Sequence, residues 1–584
     1  MTKALELLVC TFISLAMLPD ASSGELLACA NSIFCHGDIL HAVQMAKIFD
    51  DAKTFVDMRM RYTQEHIQNN FKALGAKPTK AQLDTFVEQN FDEAGNDLEQ
   101  FNPKDWVEHP RNLKRIKDKT LRSWAYDLNK LWKSLGRTVS ADARKHSERS
   151  SLIVVDNPFI VPGGRFREYY YWDSYWILNG ILVCGMNSTA KGMIENYIEL
   201  VRRYGFVPNG GRIYYLNRSQ PPFLIQMLEL YYRYTNDVEF VRRNLAVLEK
   251  EYQFWEMHRS IKLVVSGTSR TLTVYKANMT TPRPESYWHD YDFGKEIKDA
   301  GEKARFYQAV ASAAESGWDF SSRWLNKSGA GNGSFRSIHT PDIVPVDLNC
   351  ILYKNELSLA KFYELSGNQS KVKEYQRLAS RRRHAIEDVL WDEAVGLWVD
   401  YDVTSGERTS DFYASSVVAL WSGLAHGNKS REEHVFCKLR SAKVLGFPGG
   451  LPTSMEQSGQ QWDFPNAWPP LQHMFIVALA QSRSTFLQNE ARKRALSWVR
   501  SNWIGYVKTN HMFEKYVVTS EGNTGGGGEY KPQVGFGWTN GVILDLLLRY
   551  PDDLEVENRA SMPWIAFSGL LSFFLIAICI FTQT

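Results

Sequence analysis

Helical periodicity dominates this chain and constrains its fold more than any other feature of the sequence. In residues 222–257 apolar side chains recur at the three- and four-residue spacing of a buried helix face, with a break near Asn236-Asp237. Residues 347–366 and 369–391 predict a helical hairpin, and residues 261–276 are the best short candidate for a strand. Further helices are predicted at 40–68, 186–204, 304–325, 410–425, 468–482, 486–502 and 538–550.

Antiparallel helix pairs joined by loops, with no second zone of composition, indicate one large all-α domain. The chain has 584 residues, of which 44% are hydrophobic and 23% charged, which is a globular composition. A closed ring of hairpins would place its inner loops around a pocket. A helical-repeat solenoid is the alternative, but such folds usually carry a sequence repeat, and no fixed-length repeat is evident here.

The N-terminus predicts a signal peptide over residues 1–23. After Met-Thr-Lys the sequence is apolar to residue 18, and small residues follow at Ala21-Ser22-Ser23. A buried N-terminal helix is the alternative.

The C-terminus predicts a glycosylphosphatidylinositol-attachment signal over residues 556–584, whose tail is removed. The sequence is apolar over 564–581, and no Lys or Arg follows, as would be usual for a spanning helix. Small residues just upstream favour lipid attachment at Ser561, with Asn558 and Ala560 as alternatives. A membrane-spanning tail remains the other interpretation. We therefore expect the protein on the extracellular face of the plasma membrane.

Cysteines and glycosylation sequons fit this secretory route. Cys10 and Cys579 fall in the two removed segments, Cys29 and Cys35 predict a small disulfide loop, and the odd count leaves at least one free or intermolecular thiol. Glycosylation is predicted at the exterior on Asn187, Asn278, Asn326, Asn332, Asn368 and Asn428. Asn217 is also in a sequon, but its neighbour Arg218 is a pocket candidate, so its glycosylation is doubtful if that loop lines the pocket.

Several function classes have no support in the sequence. The net charge is +3, from 68 basic and 65 acidic residues, and no long run of one sign suggests a nucleic-acid partner. The cluster Arg381-Arg382-Arg383 is interpreted as a solvated helix face. There is no C-x-x-C or H-E-x-x-H pattern for a metal, no phosphate-binding glycine loop, and no G-x-S-x-G nucleophile elbow.

Six loop segments rich in Gly, Pro, Arg, Trp and acids interrupt the helices. In the first, residues 162–176, Arg165 and Asp173 offer charge-assisted hydrogen bonds and Trp172 offers a flat wall, which suits a polyhydroxylated ligand. A structural loop with an Arg–Asp pair is the alternative. Residues 208–222 and 283–286 likewise couple guanidinium groups with amides or carboxylates in turns.

The remaining loops carry the candidate acids. Asp319 follows an apolar helical run between two aromatic residues, and an apolar surround raises a carboxyl pKa toward the value a general acid needs. A helix N-cap is the alternative for Asp319. Residues 460–470, 513–516 and 525–530 complete the set, and four consecutive glycines in the last predict either a mobile lid or a flexible surface loop.

Two of these segments resemble a known family. PGGRFREYYYWDSY (162–175) and QWDFPNAWPP (461–470) are similar to the two characteristic motifs of trehalases, the glycoside hydrolase family 37 enzymes. ESGWDFSSRW, RPES, PNGGR and FEKY also resemble trehalase segments, and the resemblance covers roughly residues 40–550. The two ends resemble the animal membrane-bound form.

The resemblance implies an (α/α)₆ barrel, within a single catalytic domain that we place at residues 24–555. It also implies cofactor-free hydrolysis of α,α-trehalose by water to two glucose molecules, with inversion at one anomeric carbon. Asp319 would be the general acid and Glu514 the general base, with Glu529 at a closed lid. The residues expected to bind sugar are Arg165, Trp172, Asp173, Asn209, Arg218, Ser219, Gln220, Arg283, Glu285 and Gly317.

Two other functions remain open at this stage: another glycosidase on the same helical barrel, and a non-catalytic cell-surface sugar receptor. The oligomeric state is also open between a monomer and a homodimer.

Overall fold

The structure, a computed structural model, describes residues 29–265, 267–327 and 333–556. The predicted signal peptide, the tail with Ser561, and Asn332 lie outside the described residues. Helices predominate, and their bounds are α1 (Asp38–Met45), α2 (Lys53–Val56), α3 (Gln64–Ala73), α4 (Lys80–Asn90), α5 (Lys119–Leu135), α6 (Ala141–Lys145), α7 (Asp173–Val183), α8 (Asn187–Tyr204), α9 (Leu224–Thr235), α10 (Val238–His258), α11 (Tyr287–Gly294), α12 (Ala300–Glu315), α13 (Val346–Leu365), α14 (Gln369–Leu390), α15 (Ser416–Ser422), α16 (Lys429–Ser441), α17 (Pro469–Gln481), α18 (Thr485–Thr509) and α19 (Gly537–Arg549).

The strands are short and form two- and three-stranded antiparallel sheets between the helices. They are β1 (Arg59–Met60), β2 (Phe91–Asp92), β3 (Leu98–Gln100), β4 (Gly136–Val139), β5 (Phe159–Ile160), β6 (Ser260–Val265), β7 (Thr268–Thr273), β8 (Ile343–Val344), β9 (Trp391–Asp392), β10 (Leu397–Trp398), β11 (Tyr401–Asp402), β12 (Glu407–Arg408), β13 (Asn466–Ala467) and β14 (Tyr516–Val517).

Six helices contact one another in a cyclic order, and these are α7, α9, α13, α15, α17 and α19. Each contacts the next along the chain, and α19 contacts α7. Every residue of α7 and α15 is buried, as expected of helices that are covered by protein on all sides. Longer helices pack outside them: α8 on α7 and α9, α14 on α13, and α18 on α17. Only one face of α14 is buried.

The contact between the first and last of these six helices depends on two glycines. A Cβ placed on Gly541 of α19 would lie 1.9 Å from the carbonyl oxygen of Trp176 in α7. A Cβ on Gly180 of α7 would lie 2.6 Å from the Cα of Gly541. Because both distances are shorter than any van der Waals contact, α7 and α19 can approach this closely only with glycine on both sides.

The N-terminal segment forms a second apolar cluster that packs against residues 166–215. Its core includes Phe55, Phe86 and Phe91, and it extends to Tyr170 and Tyr214. Buried ion pairs reinforce this junction. Lys53 pairs with Asp57 and Glu168, and Arg212 pairs with Asp97, all with fully buried side chains. The segment is therefore part of the scaffold that holds the loops after residue 160.

One small sheet joins two of the predicted loop motifs. β13 pairs antiparallel with β14, with Asn466 opposite Val517 and Ala467 opposite Tyr516. This pairing brings residues 460–470 beside residues 513–517 at the start of α17.

Most of the predicted helices are confirmed, but three predicted ranges are wrong. Residues 40–68 form three short helices interrupted by β1, which pairs with β2 and therefore cannot continue a helix. The helix predicted at 304–325 ends at Glu315, and that at 410–425 is reduced to α15. The strand candidate 261–276 is a hairpin of two strands, β6 and β7.

The interpretation of Arg381-Arg382-Arg383 as a solvated face is wrong for its central member. Arg382 is 5% exposed and donates to the carboxylates of Glu356 and Glu256, whereas its two neighbours are exposed. The predicted Cys29–Cys35 disulfide is present, and Cys184 and Cys350 are free and buried. Within the described ranges, no helix combines the length and apolarity needed to cross a bilayer.

Candidate active site

A cavity of about 640 Å³, including the solvent at its mouth, lies among the loops that the sequence analysis singled out. Its walls come from at least five separate stretches of chain, from Arg165 to Trp538. The lining residues are Arg165, Phe166, Tyr170, Trp172, Asp173, Asn209, Tyr215, Arg218, Gln220, Arg283, Glu285, Ser286, Ala314, Gly317, Asp319, Trp462, Trp468, Glu514, Glu529, Tyr530, Phe536 and Trp538.

All but one of the predicted catalytic and sugar-binding residues are in this lining. The exception is Ser219, which the structure places behind the wall. Its backbone N–H donates to Glu315 and its hydroxyl donates to the carbonyl of Val207. Ser219 therefore stabilises the neighbouring turn and does not face the cavity.

Asp319 lies on the loop that follows α12. The loop begins at Gly317, whose φ of +76° places it in the left-handed region, and a Cβ there would lie 2.7 Å from Cζ2 of Trp172. Asp319 does not cap a helix, because the short 3₁₀ helix that follows is capped by Ser321. Burial raises the pKa of Asp319 to about 7, with Arg283 opposing the shift and Glu529 adding to it.

Asp463 fixes the loop that carries Asp319. Its carboxylate accepts a hydrogen bond from the hydroxyl of Ser321 at 2.8 Å and from the backbone N–H of Ser322 at 2.7 Å. Trp462 donates its backbone N–H to the carbonyl of Phe320 at 3.0 Å. The motif at residues 460–470 thus holds the Asp319 loop in position through these hydrogen bonds.

Glu514 lies two residues before β14 and is 1% exposed. One carboxylate oxygen accepts from the hydroxyl of Tyr530 at 2.9 Å, and the other accepts from the backbone N–H of Gln533 at 3.3 Å. The main-chain carbonyl of Glu514 accepts from the indole of Trp538. These contacts fix the orientation of the Glu514 carboxyl group.

Asp173 is a third acid in the same cavity. It occupies the first turn of α7, so it is a helical residue and not the loop residue that the sequence analysis expected. Burial raises its pKa well above the usual value, and the charges of Glu514 and Asp319 add to the shift. Burial therefore favours the protonated form of Asp173, which can donate a hydrogen bond to a ligand.

Arg218, Asn209 and Glu285 form a buried polar wall. Arg218 donates from Nε to the side-chain oxygen of Asn209 at 2.9 Å and from Nη2 to Glu285 at 2.6 Å. Nη1 of Arg218 and the second carboxylate oxygen of Glu285 are buried without a protein partner. Because buried polar atoms usually have partners, hydroxyl groups of a bound ligand are suited to supply them.

Arg283 connects two acids at the edge of the cavity. It forms a bidentate pair with Asp290, at 2.9 and 2.7 Å, and its Nη2 also donates to both oxygens of Glu529. The hydroxyl of Ser286 donates to Glu529 at 3.0 Å. These contacts tie the segment after the glycine run to the opposite wall.

The glycine run itself, Gly525 to Gly528, is hydrogen-bonded to its surroundings. Gly525 donates to the carbonyl of Lys515, and Gly526 donates to the side-chain oxygen of Asn466, which also donates from Nδ2 to the carbonyl of Gly526. Glu529 and Tyr530, which follow directly, line the cavity, so the glycine run is not a free surface loop.

One pairing in the site has no signal in the sequence. Arg165 pairs with Asp51 through two hydrogen bonds of 2.7 Å, so its partner is not Asp173 as the structural alternative for that loop assumed. Although burial works to raise the pKa of Asp51, the hydrogen bond and charge of Arg165 lower it to about 2. Asp51 lies more than a hundred residues from Arg165, and nothing in its local sequence indicates this pairing.

The aromatic wall is larger than the sequence analysis predicted, since that analysis named only Trp172. Trp462 and Trp468 stack with ring centroids 3.8 Å apart, and Trp172 meets Trp538 edge to face at 5.9 Å. Two tryptophans within one Pro-rich loop are a usable signal for a flat sugar-binding surface. No group of three or more metal-ligating side chains occurs in the described part of the chain.

Comparison with known proteins identifies the family of this chain. A sequence model of the family described as Trehalase matches residues 47–551. The chain is 45% identical to a trehalase of Apis mellifera over 538 residues, covering 91% of this chain and 86% of that protein. It is 42% identical to a trehalase of Homo sapiens over 530 residues, covering 90% of each.

A solved structure gives the same result. The neutral trehalase of Saccharomyces cerevisiae superposes with a TM-score of 0.54 at 25% identity, covering 68% of this chain and 75% of that one. The family match spans every residue that lines the cavity, and the sequence relatives align over nearly the whole chain. The chain therefore belongs to the trehalase family of glycoside hydrolases.

Proposed function

We propose that the protein hydrolyses α,α-trehalose to two glucose molecules with inversion, using Asp319 as the general acid and Glu514 as the general base. The observation that carries this proposal is the contrast between two carboxyl groups in one cavity. Burial raises the pKa of Asp319 to about 7, so a large share of it is protonated near neutral pH. Glu514 accepts a hydrogen bond on each of its oxygens, which orients it as an acceptor.

These two arrangements match the two roles. The protonated Asp319 donates its proton to the oxygen that bridges the two glucose units as the bond breaks. Glu514 removes a proton from a water molecule that attacks the anomeric carbon from the opposite face. Charge that develops on the sugar ring is positive, and the nearby carboxylate of Glu529 stabilises it.

The rest of the cavity suits a disaccharide. The open positions on Arg218 and Glu285 can hydrogen-bond sugar hydroxyls, and Asp173, whose pKa is raised by burial, can donate to one in its protonated form. Trp172, Trp462 and Trp538 provide flat apolar faces for pyranose rings. The guanidinium groups are paired with acids, so they act as oriented hydrogen-bond donors and add little net positive charge.

For the scaffold, we propose an (α/α)₆ barrel in one catalytic domain over residues 24–555. The cyclic contacts of six inner helices, with longer helices packed outside α7, α9, α13 and α17, support this arrangement. The active-site loops then lie at one end of the barrel, around its inner helices.

Two experiments test the reaction. Purified protein is assayed for glucose release from trehalose, maltose and sucrose, and we expect trehalose alone to be a good substrate. Proton NMR of early product should show α- and β-glucose in equal amounts, whereas α-glucose alone would indicate retention. No activity on trehalose, with binding of the sugar intact, would favour a receptor.

Two substitutions test the assigned roles. Asp319→Asn and Glu514→Gln each remove a proton-transfer group at constant size, so each should abolish turnover while the thermal unfolding midpoint stays within a few degrees of wild type. Near-normal activity in either variant would remove that residue from its role.

We further propose a secreted protein anchored by lipid on the outer face of the plasma membrane, from the apolar segments at the two chain ends. Phosphatidylinositol-specific phospholipase C should then release activity from intact cells. A Ser561→Pro variant should be retained inside the cell or secreted in place of being anchored.

A further inference from the structure

The strongest observation outside the assigned roles concerns Lys515, which directly follows the proposed general base. Its side chain is 0% exposed. It is not among the residues that line the cavity, so it lies behind the wall that Glu514 forms. An ammonium group in such a position is costly unless charged or dipolar partners surround it.

The partners of Lys515 belong to the active site. Its Nζ donates to the side-chain oxygen of Gln461 at 2.6 Å and lies 3.9 Å from a carboxylate oxygen of Glu514. It also lies over the rings of Trp468, at 4.9 Å, and Tyr530, at 5.5 Å. Burial lowers the pKa of Lys515, while the charges of Glu514 and Asp319 oppose that shift.

Gln461 extends this contact to the other catalytic carboxyl. Its side-chain N–H donates to the main-chain carbonyl of Asp319, and the side chain is fully buried. An ammonium group can only donate and a carbonyl can only accept, so the chemistry of the two partners fixes which way this amide points. The main-chain carbonyl of Gln461 is held in turn by Asn466 and Trp468.

We propose that Lys515 and Gln461 are positioning residues that join the two catalytic carboxyls from behind. The ammonium group of Lys515 holds the carboxyl group of Glu514 in place, and the side chain of Gln461 links that ammonium group to the main-chain carbonyl of Asp319. The proposal rests on the proposed function for its effect on catalysis, but the contact between Lys515 and Glu514 can be measured without turnover.

The first experiment measures that contact directly. Infrared difference spectra of the full chain minus its Glu514→Gln variant isolate the carboxyl bands of Glu514, and the same pair is recorded in a Lys515→Met background. Removing a cation 3.9 Å away should shift these bands measurably. Lys515→Arg, which keeps the charge, should shift them much less. Unchanged bands in Lys515→Met would overturn the proposal, whether or not the protein acts on trehalose.

The second experiment separates kcat from KM for trehalose. Lys515→Met should lower kcat about tenfold with little change in KM, because both catalytic carboxyl groups lose a shared support. Gln461→Met keeps the ammonium beside Glu514, so it should leave the Glu514 bands in place and reduce kcat about tenfold by loosening the Asp319 loop. A wild-type kcat in Lys515→Met would contradict the positioning role.

Lys354→Met is the matched control. Its Nζ lies over the ring of Trp421 at 4.8 Å, close to the 4.9 Å between Lys515 and Trp468, but it lies on α13 outside the cavity lining. This variant should lose a comparable amount of thermal stability and keep the wild-type kcat and KM. If it lowered kcat as much as Lys515→Met does, the effect would be one of general stability and the proposal would fail.

Discussion

Arg283 donates from a single terminal nitrogen to both carboxylate oxygens of Glu529, at 3.0 and 3.2 Å. This contact fastens the segment after the glycine run to the wall that begins at residue 283. Because Arg283 is also paired with Asp290, its guanidinium is oriented before Glu529 meets it. The position of Glu529 therefore depends on an ion pair with Arg283, and Asp290 orients the guanidinium group of Arg283 for that pair.

Glu529→Gln should weaken this ion pair. Gln retains an acceptor for Arg283 but loses the charge, and hydrogen bonds to charged groups are worth about 1–2 kcal/mol more than neutral ones. We expect kcat/KM for trehalose to fall about tenfold. Ser286→Ala removes a single neutral donor to the same carboxylate and should cost no more than about threefold. Equal losses in the two variants would show that the charge is not what fastens this segment.

The same substitution should change the pH profile. Asp319 must be protonated to act as an acid, and its pKa lies at about 7, so kcat/KM should fall as the pH rises through that value. The negative charge of Glu529 adds to this raised pKa. Removing the charge lowers the pKa of Asp319, and the alkaline limb should move to lower pH by about 0.5–1 unit. Ser286→Ala keeps both charges and should leave the limb where it is.

Glu251, which does not line the cavity, makes the stability of the folded protein depend on pH. Burial raises its pKa from 4.5 to about 7, although its hydrogen bond from Tyr171 opposes the shift. The folded state therefore prefers the protonated acid, and stability is lost as the pH rises from about 4.5 to about 7, by up to about 3 kcal/mol. Glu251→Gln should remove this loss, so its melting temperature relative to wild type should rise between pH 5 and pH 7.5. A constant difference across that range would contradict the raised pKa.

Gly541→Ala should destabilise the protein strongly. The added methyl group would overlap the carbonyl oxygen of Trp176, and main-chain atoms cannot rotate away as a side chain can. We expect a loss of about 3 kcal/mol or more, read as a fall in the thermal or urea midpoint. Gly526→Ala makes the same chemical change where no atom lies within 4 Å and should change the midpoint little.

Peptide mapping of the secreted protein should find no glycan on Asn217. Its side-chain oxygen is buried and its Nδ2 donates to the carbonyl of Tyr214. Asn368 and Asn428 differ, because each is exposed and caps a helix through Oδ1, which leaves Nδ2 available for a sugar. A glycan on Asn217 would mean that its loop opens before the chain finishes folding.

The sequence predicted what depends on local spacing. The helical hairpin at residues 347–391 and the break at Asn236-Asp237 follow from periodicity, and both are confirmed. Composition singled out the six loops, and the resemblance to trehalases implied which residues within them face a ligand. The sequence could not predict the partner of Arg165, because Asp51 reaches it only through the fold of the N-terminal segment. The sequence analysis also predicted that Ser219 lines the cavity together with Arg218 and Gln220. Adjacency in the sequence does not show which of three consecutive side chains points away from a cavity.

The contact between α7 and α19 has a consequence for how the molecule is made. α7 begins at Asp173 and α19 ends at Arg549, so the cycle of inner helices can close only after α19 has left the ribosome. A nascent chain without α19 has nothing to cover the face of α7 around Trp176, and its Glu514 lacks the indole of Trp538 that holds its main chain. We therefore expect nascent chains that lack α19 to be inactive and prone to aggregate.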